Sequence, residues 1–178
     1  MAKASTNTAA KGTGKGLTFQ RYFTKQGVNV YDLFKYEKRT SVIRNPAGDA
    51  VFEMKNVEVP ETWSQVATDI LAQKYFRKAG VPQPDVSTSS ENSIKQVAHR
   101  MAHCWRSWGE RYNYFASKED AGIFYDELVY TIVGQLAAPN SPQWFNTGLH
   151  WAYGITGKPQ GHYYVEEVTN LNKHLPSN

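Results

Sequence analysis

Cysteine is almost missing from this chain: Cys104 is the single thiol in 178 residues. One thiol cannot close an internal disulfide, and it cannot hold zinc without partners. The pattern suits a reducing compartment, and a cytoplasmic location is expected. Long hydrophobic runs are missing as well. No stretch approaches the roughly 20 apolar residues that span a bilayer, so no membrane association is expected. Residues 1–16 contain no acid and, after Met1, no large apolar side chain. With nothing to bury, they are expected to form a disordered tail. That tail has neither the apolar core of a secretory signal nor the arginines of a transit peptide. No glycine-rich phosphate motif is visible. A dense basic run is missing too. The net charge is +4, but Arg39, Arg44, Lys74, Arg77, Arg100 and Arg106 are scattered over several elements. Nucleic acid is therefore not an expected partner.

What is there reads as a globular chain of ordinary composition, 40% hydrophobic and 20% charged, with aromatics at 13%. Its length fits one α-rich domain over residues 17–178, large enough to bury a core. Residues 33–43 and 50–55 read as a hairpin, joined by Asn45-Pro46-Ala47-Gly48 in the type I turn pattern. Three helices are expected. The first, 61–78, carries Trp63, Val66, Ala67, Ile70 and Leu71 on one stripe. The second, 91–108, is capped by Ser90, stopped by Gly109, and carries Ile94, Val97, Ala98, Met101, Trp105 and Trp108. The third, 118–137, is opened by Ser117 and carries Ala121, Phe124, Leu128, Ile132 and Leu136. Residues 82–90 read as a polar loop.

The densest chemistry lies after Pro139, in Asn140-Ser-Pro-Gln-Trp-Phe-Asn-Thr-Gly-Leu-His-Trp-Ala-Tyr-Gly-Ile155. Amides, hydroxyls, glycines and aromatics alternate there, too glycine-interrupted for a plain helix. Such a segment suits a loop presenting N–H groups and hydroxyls to a polar ligand. Ser141 is the foremost candidate, because a hydroxyl donates to a phosphate oxygen. Asn140 and Asn146 are subsidiary candidates. Trp144 and Phe145 read as packing groups. His99 and His103 share a helical i, i+4 spacing but lack the intervening Glu of a metalloprotease site; they are expected on an exposed side, binding no metal. Cys104 reads as a small, half-buried thiol. The aromatics of the last forty residues either complete this core or meet a larger body.

That segment is similar to the substrate-loop region of adenosylcobalamin-dependent, class II ribonucleotide reductases. The likeness extends to Trp63-Ser-Gln-Val-Ala67, Lys74-Tyr-Phe76, Phe124 through Gln135, and Gly161-His-Tyr-Tyr-Val165. It runs from about Tyr31 to Val165. The resemblance implies an N-terminal, mainly α region with a small β-hairpin. Most of the family's ten-stranded catalytic barrel lies outside it, and residues 139–165 lead toward that barrel. It implies that Ser141 binds the phosphate end of a ribonucleotide, with diphosphates the expected substrates. Adenosylcobalamin and a thioredoxin-like reductant would serve the parent enzyme, not this stretch alone. The family's chemistry needs a thiyl-forming cysteine and a redox pair, and Cys104 sits in none of those contexts. No catalytic residue is therefore expected here. A C-terminal catalytic portion, if separately encoded, would be the partner. The alternative is a non-catalytic interaction protein derived from that enzyme.

Overall fold

The structure, a computed structural model, describes residues 16–83, 86–157, 163–165 and 172–174. The expected tail falls outside them, apart from Gly16. Strand β1 (Tyr36–Arg44) pairs antiparallel with β2 (Ala50–Pro60). The turn between them closes as its residues dictate. Gly48 donates its N–H to the Asn45 carbonyl at 2.9 Å, and Asn45 Oδ1 accepts from the Asp49 N–H at 2.9 Å. Strand β2 runs to Pro60, further than its β-propensity indicates, because Val57 and Val59 reach the core there.

Helix α1 (Gln65–Ile70) is shorter than the expected 61–78 and continues as one wide π turn, Leu71–Tyr75. Ser64 is the cause at the front: its hydroxyl accepts from the Ala67 N–H, so residues 61–64 stay outside the helix. The wide turn is closed by Phe76 N–H to the Leu71 carbonyl. It changes the phase of the apolar stripe. Leu71, Ala72 and Phe76 are buried, while Val66 and Ile70 lie exposed. The stretch expected as a polar loop instead holds two short antiparallel strands, β3 (Val81–Gln83) and β4 (Val86–Ser89). A third short ladder joins β5 (Tyr163–Val165) to β6 (Asn172–His174). Among the described residues there are thus three two-stranded ladders, beyond the single hairpin expected from sequence.

Helix α2 (Ile94–Arg111) starts three residues later than expected, because Ser93 and not Ser90 caps it. Gln96 completes the reciprocal capping box by accepting from the Ser93 N–H. The helix runs through Gly109, where the Phe115 ring packs so closely that an added Cβ would force the ring to move. Ile94, Val97, Ala98 and Met101 are fully buried. Each large one contributes about 1.5–3 kcal/mol by leaving water. Helix α3 (Lys118–Val133) begins at its expected cap, with the Ser117 hydroxyl accepting from Asp120 N–H. It stops at Gly134, four residues early, and leaves Leu136 exposed. Helices α2 and α3 pack together, and the core spreads from them to β2 and the π turn. The Trp63 indole N–H donates to the Val133 carbonyl at 2.8 Å, closing the far end of α3. No helix among the described residues is long and apolar enough to cross a membrane.

Residues 16–24 form a strap held on α3 by carboxylates. Asp120 accepts from Phe19 N–H, Asp126 pairs with Arg21, and Glu127 accepts from the N–H groups of Phe23 and Thr24. The Ser117 hydroxyl and the Phe19 N–H hold the Asp120 carboxyl below its ordinary range. Burial pushes Glu127 up, but the Thr24 hydroxyl and neighbouring N–H groups outweigh it and hold it low. A carboxyl depressed on folding contributes stability above its unfolded pKa, about 4 for Asp and Glu, and loses it as pH falls through the folded value. Acidification below about pH 4, through the lowered folded values of Asp120 and Glu127, is therefore expected to free the strap before the core opens. Hydrogen exchange at the Phe19, Phe23 and Thr24 amides should rise ahead of exchange in α2. Replacing Asp120 and Glu127 together by Ala should produce the same exposure at neutral pH.

Candidate functional site

The segment after Pro139 is not one loop. It folds as two short helices, α4 (Ser141–Asn146) and α5 (Leu149–Tyr153). Pro142 suits the first turn of α4, where its missing N–H costs nothing. Gly148 separates the helices with φ +80, and Gly154 ends α5 in the same left-handed conformation. Trp144 points inward, nine-tenths buried, and its indole donates to the Pro139 carbonyl at 2.7 Å. Phe145 faces outward, 44% exposed.

Beneath these helices lies a buried ion pair that sequence reasoning missed. Arg100 and Glu91 are both fully buried, with Nε to Oε1 at 2.7 Å. The guanidinium also donates to the carbonyls of Thr147 at 2.7 Å, Trp144 at 2.6 Å and, at 3.5 Å, Tyr75. Its planar fork thus ties the C-terminal end of α4 to the π turn of α1. Glu91 in turn accepts from the Arg77 N–H and from the Tyr153 hydroxyl, both at 2.8 Å. Burial and the adjacent Glu91 charge push the Tyr153 phenol well above its ordinary range, so it stays a donor. One signal for Arg100 was present in the sequence. It sits three residues after Val97 and four before Cys104, on an otherwise apolar stripe.

Ser141 is exposed at the first position of α4, and its Oγ lies 3.1 Å from the Tyr75 hydroxyl. Asn140, the cap residue, is exposed beside it, and its side chain makes no capping bond. Asn146 is exposed at the opposite end of α4. Five helical positions separate it from Ser141, roughly 7.5 Å along the axis and about 140° around it. The fold thus joins Ser141 with Asn140 and Tyr75, and sets Asn146 apart. Thr147 is buried, with its hydroxyl on Gln143 and its carbonyl on Arg100.

His99 and His103 are not on a bare exposed face. Together with Tyr125 and Trp151 they form an aromatic cluster in which His103 stacks on Trp151 with centroids 4.3 Å apart. His99 Nδ1 lies 2.7 Å from the Tyr125 hydroxyl. Burial, then the neighbouring His103, lowers the His99 pKa and favours the neutral ring. No group of three or more metal-ligating side chains occurs among the described residues. Cys104 is 3% exposed, more deeply buried than the half-buried thiol expected from sequence. Burial pushes its thiol up, partly offset by a hydrogen bond with the Gly148 backbone. A protonated, covered thiol is a poor nucleophile. Among the described residues there is also an open hollow of about 590 Å³ lined by Arg106, Asn113, Phe115 and Lys118, among others. It lies at the end of α2, away from α4.

Comparison with known proteins places this geometry. Residues 37–135 match the family model described as class II vitamin B12-dependent ribonucleotide reductase. The chain is 48% identical over 181 residues to the vitamin B12-dependent ribonucleotide reductase of Bradyrhizobium diazoefficiens, covering 86% of this chain and 14% of that protein. It is 45% identical to the Agrobacterium fabrum protein of the same name, with the same coverage. The Streptomyces coelicolor protein of that name is 45% identical over 143 residues, 78% of this chain and 14% of its own length. The chain thus spans about a seventh of the curated relatives it matches. With the family model and these relatives in agreement, the chain belongs to the class II, vitamin B12-dependent ribonucleotide reductase family and corresponds to an N-terminal part of it.

Proposed function

We propose that this chain forms one wall of the substrate pocket of a B12-dependent ribonucleotide reductase, with the Ser141 hydroxyl donating to the phosphate end of a ribonucleoside diphosphate. The observation that carries this reading is the contrast between Ser141 and its support. The hydroxyl is exposed at the head of α4, while the far end of that helix is fixed by the fully buried Arg100. A rigid element with an exposed hydroxyl at its tip suits ligand recognition, because the group is already in place when the ligand arrives. Asn140 adds a side-chain amide at the same end. Asn146 reaches the same ligand only where that ligand extends along α4.

The residues here do not fit the radical chemistry of adenosylcobalamin. That cofactor supplies a radical to a receptive thiol, and the only thiol of the chain is buried beneath Gly148 with its proton held. Reduction of a ribose carbon needs two electrons from a thiol pair, so the cobalamin site, the reacting cysteines and the contact with a thioredoxin-like reductant are assigned to parts of the enzyme outside these residues. In this reading the chain binds and orients substrate.

In enzyme assembled with its catalytic portion, Ser141→Ala is expected to raise KM for the ribonucleoside diphosphate about ten-fold and to change kcat little. A hydrogen bond to a charged group contributes about 1.5–3 kcal/mol, and each 1.4 kcal/mol is ten-fold in affinity. An unchanged KM in that variant would remove Ser141 from the site. It would favour the alternative reading, an interaction protein without a part in substrate binding.

A further inference from the structure

The hydroxyl of Ser141 does not stand alone. Tyr75, at the end of the π turn, brings its own hydroxyl to 3.1 Å from Ser141 Oγ. We propose that Tyr75 is a positioning residue of the substrate site, which fixes the direction of the Ser141 hydroxyl so that one O–H of the pair is left aimed at an anionic oxygen of the ligand. This rests on the reading of Ser141 given above and extends it to a residue on a different element.

The geometry supplies three reasons. First, the tyrosine ring is held against α4 by two aromatic contacts. It stacks on Trp144 with centroids 5.3 Å apart and meets Phe145 at 5.2 Å. Its carbonyl faces the same Arg100 guanidinium that binds the Trp144 carbonyl, so one buried group sets the spacing between the π turn and α4. Second, each hydroxyl has one proton and can accept. Once the two are bonded, one proton is used within the pair and one is left over. Either oxygen can donate at this distance; in the proposed arrangement Tyr75 donates and Ser141 keeps a free O–H. A free serine hydroxyl rotates among three wells; a serine that accepts from a fixed phenol is restricted in direction, and a ligand then loses less freedom on binding. Third, the wide turn has a consequence at this spot. It ends with Leu71, Ala72 and Phe76 buried, while Tyr75, between them, reaches the surface beside α4. The chemical class of ligand that suits such a pair is a phosphate or pyrophosphate oxygen, an acceptor without a proton to offer.

Tyr75→Phe keeps the ring and its stacking on Trp144 and removes only the oxygen, so it is the variant that isolates the inference. In enzyme assembled with its catalytic portion and assayed with a ribonucleoside diphosphate, Tyr75→Phe is expected to raise KM about two- to ten-fold with kcat within about two-fold, the range of a single neutral hydrogen bond. The double variant with Ser141→Ala should be no worse than Ser141→Ala alone, because the phenol acts through the serine. A urea midpoint equal to that of the parent protein would show that folding is unaffected. If Ser141→Ala raises KM and Tyr75→Phe leaves it unchanged, the positioning role is overturned and the Ser141 site stands. Effects of the two variants that multiply in the double variant would also overturn it, since Tyr75 would then act independently. If Ser141→Ala leaves KM unchanged, the site itself falls, and this inference with it.

Discussion

Arg100→Met is expected to be the most damaging single substitution in this chain, lowering stability by about 3–5 kcal/mol, the usual cost of breaking a buried ion pair from one side. The methionine fills much of the volume, so loss of packing is the smaller part. The larger part is polar. Glu91 would keep a buried charge without its partner, and the carbonyls of Thr147 and Trp144 would lose their donor. Buried ion pairs can often be exchanged for apolar pairs at little cost. This one is different, because the double variant Glu91→Leu, Arg100→Met would still strand the Arg77 N–H and the Tyr153 hydroxyl along with those carbonyls. Each stranded group costs about 1–3 kcal/mol. The double variant is therefore expected to stay well below the parent protein in urea unfolding. Recovery of the parent midpoint would show that the network contributes less than its geometry indicates.

Gly148→Ala should rank second, at about 2–5 kcal/mol, from a left-handed backbone penalty of about 1–2 kcal/mol and an overpacking cost of about 1–3 kcal/mol. Gly148 sits at φ +80, and a Cβ there would lie 2.5 Å from the Arg100 carbonyl carbon and nearer still to its oxygen. Backbone meets backbone, so no side chain can turn aside. Gly48 provides the control. Its φ is +92, but nothing lies within 4 Å of an added Cβ. Gly48→Ala should cost only the backbone part, about 1–2 kcal/mol. A urea midpoint for Gly148→Ala equal to that of Gly48→Ala would show that the close approach of α5 to α2 is not needed. Because Gly148 joins α4 to α5, the proposed role of Ser141 further predicts that Gly148→Ala raises KM in the assembled enzyme, where Gly48→Ala should not.

The elements that sequence located well are those with local chemistry to mark them. The hairpin turn follows from the order Asn45, Pro46, Gly48, and the start of α3 follows from Ser117. The start of α2 was also written locally, since Gln96 stands three residues after Ser93 and marks that serine, not Ser90, as the cap. The early stop of α3 at Gly134 was hidden by the apolar spacing that runs on to Leu136. The π turn at Leu71–Tyr75 was not legible, because it depends on which residues the core accepts and not on any breaker residue. The candidate site divides in the same way. Ser141 was a candidate from its own segment and from family likeness, and its role stands as a proposal. Arg100 and Tyr75 meet α4, and Glu91 meets Tyr153 of α5, across large sequence separations that only the tertiary fold closes. Asn146 looked equivalent to Asn140 as text, yet helical geometry carries it to the other end.

The most direct measurement is a crystal structure of the assembled reductase with a ribonucleoside diphosphate bound. The account predicts a phosphate oxygen within about 2.5–3.2 Å of Ser141 Oγ, with the Tyr75 hydroxyl still in contact with that serine. A diphosphate seated elsewhere, with Ser141 covered by protein or facing bulk solvent, would contradict it.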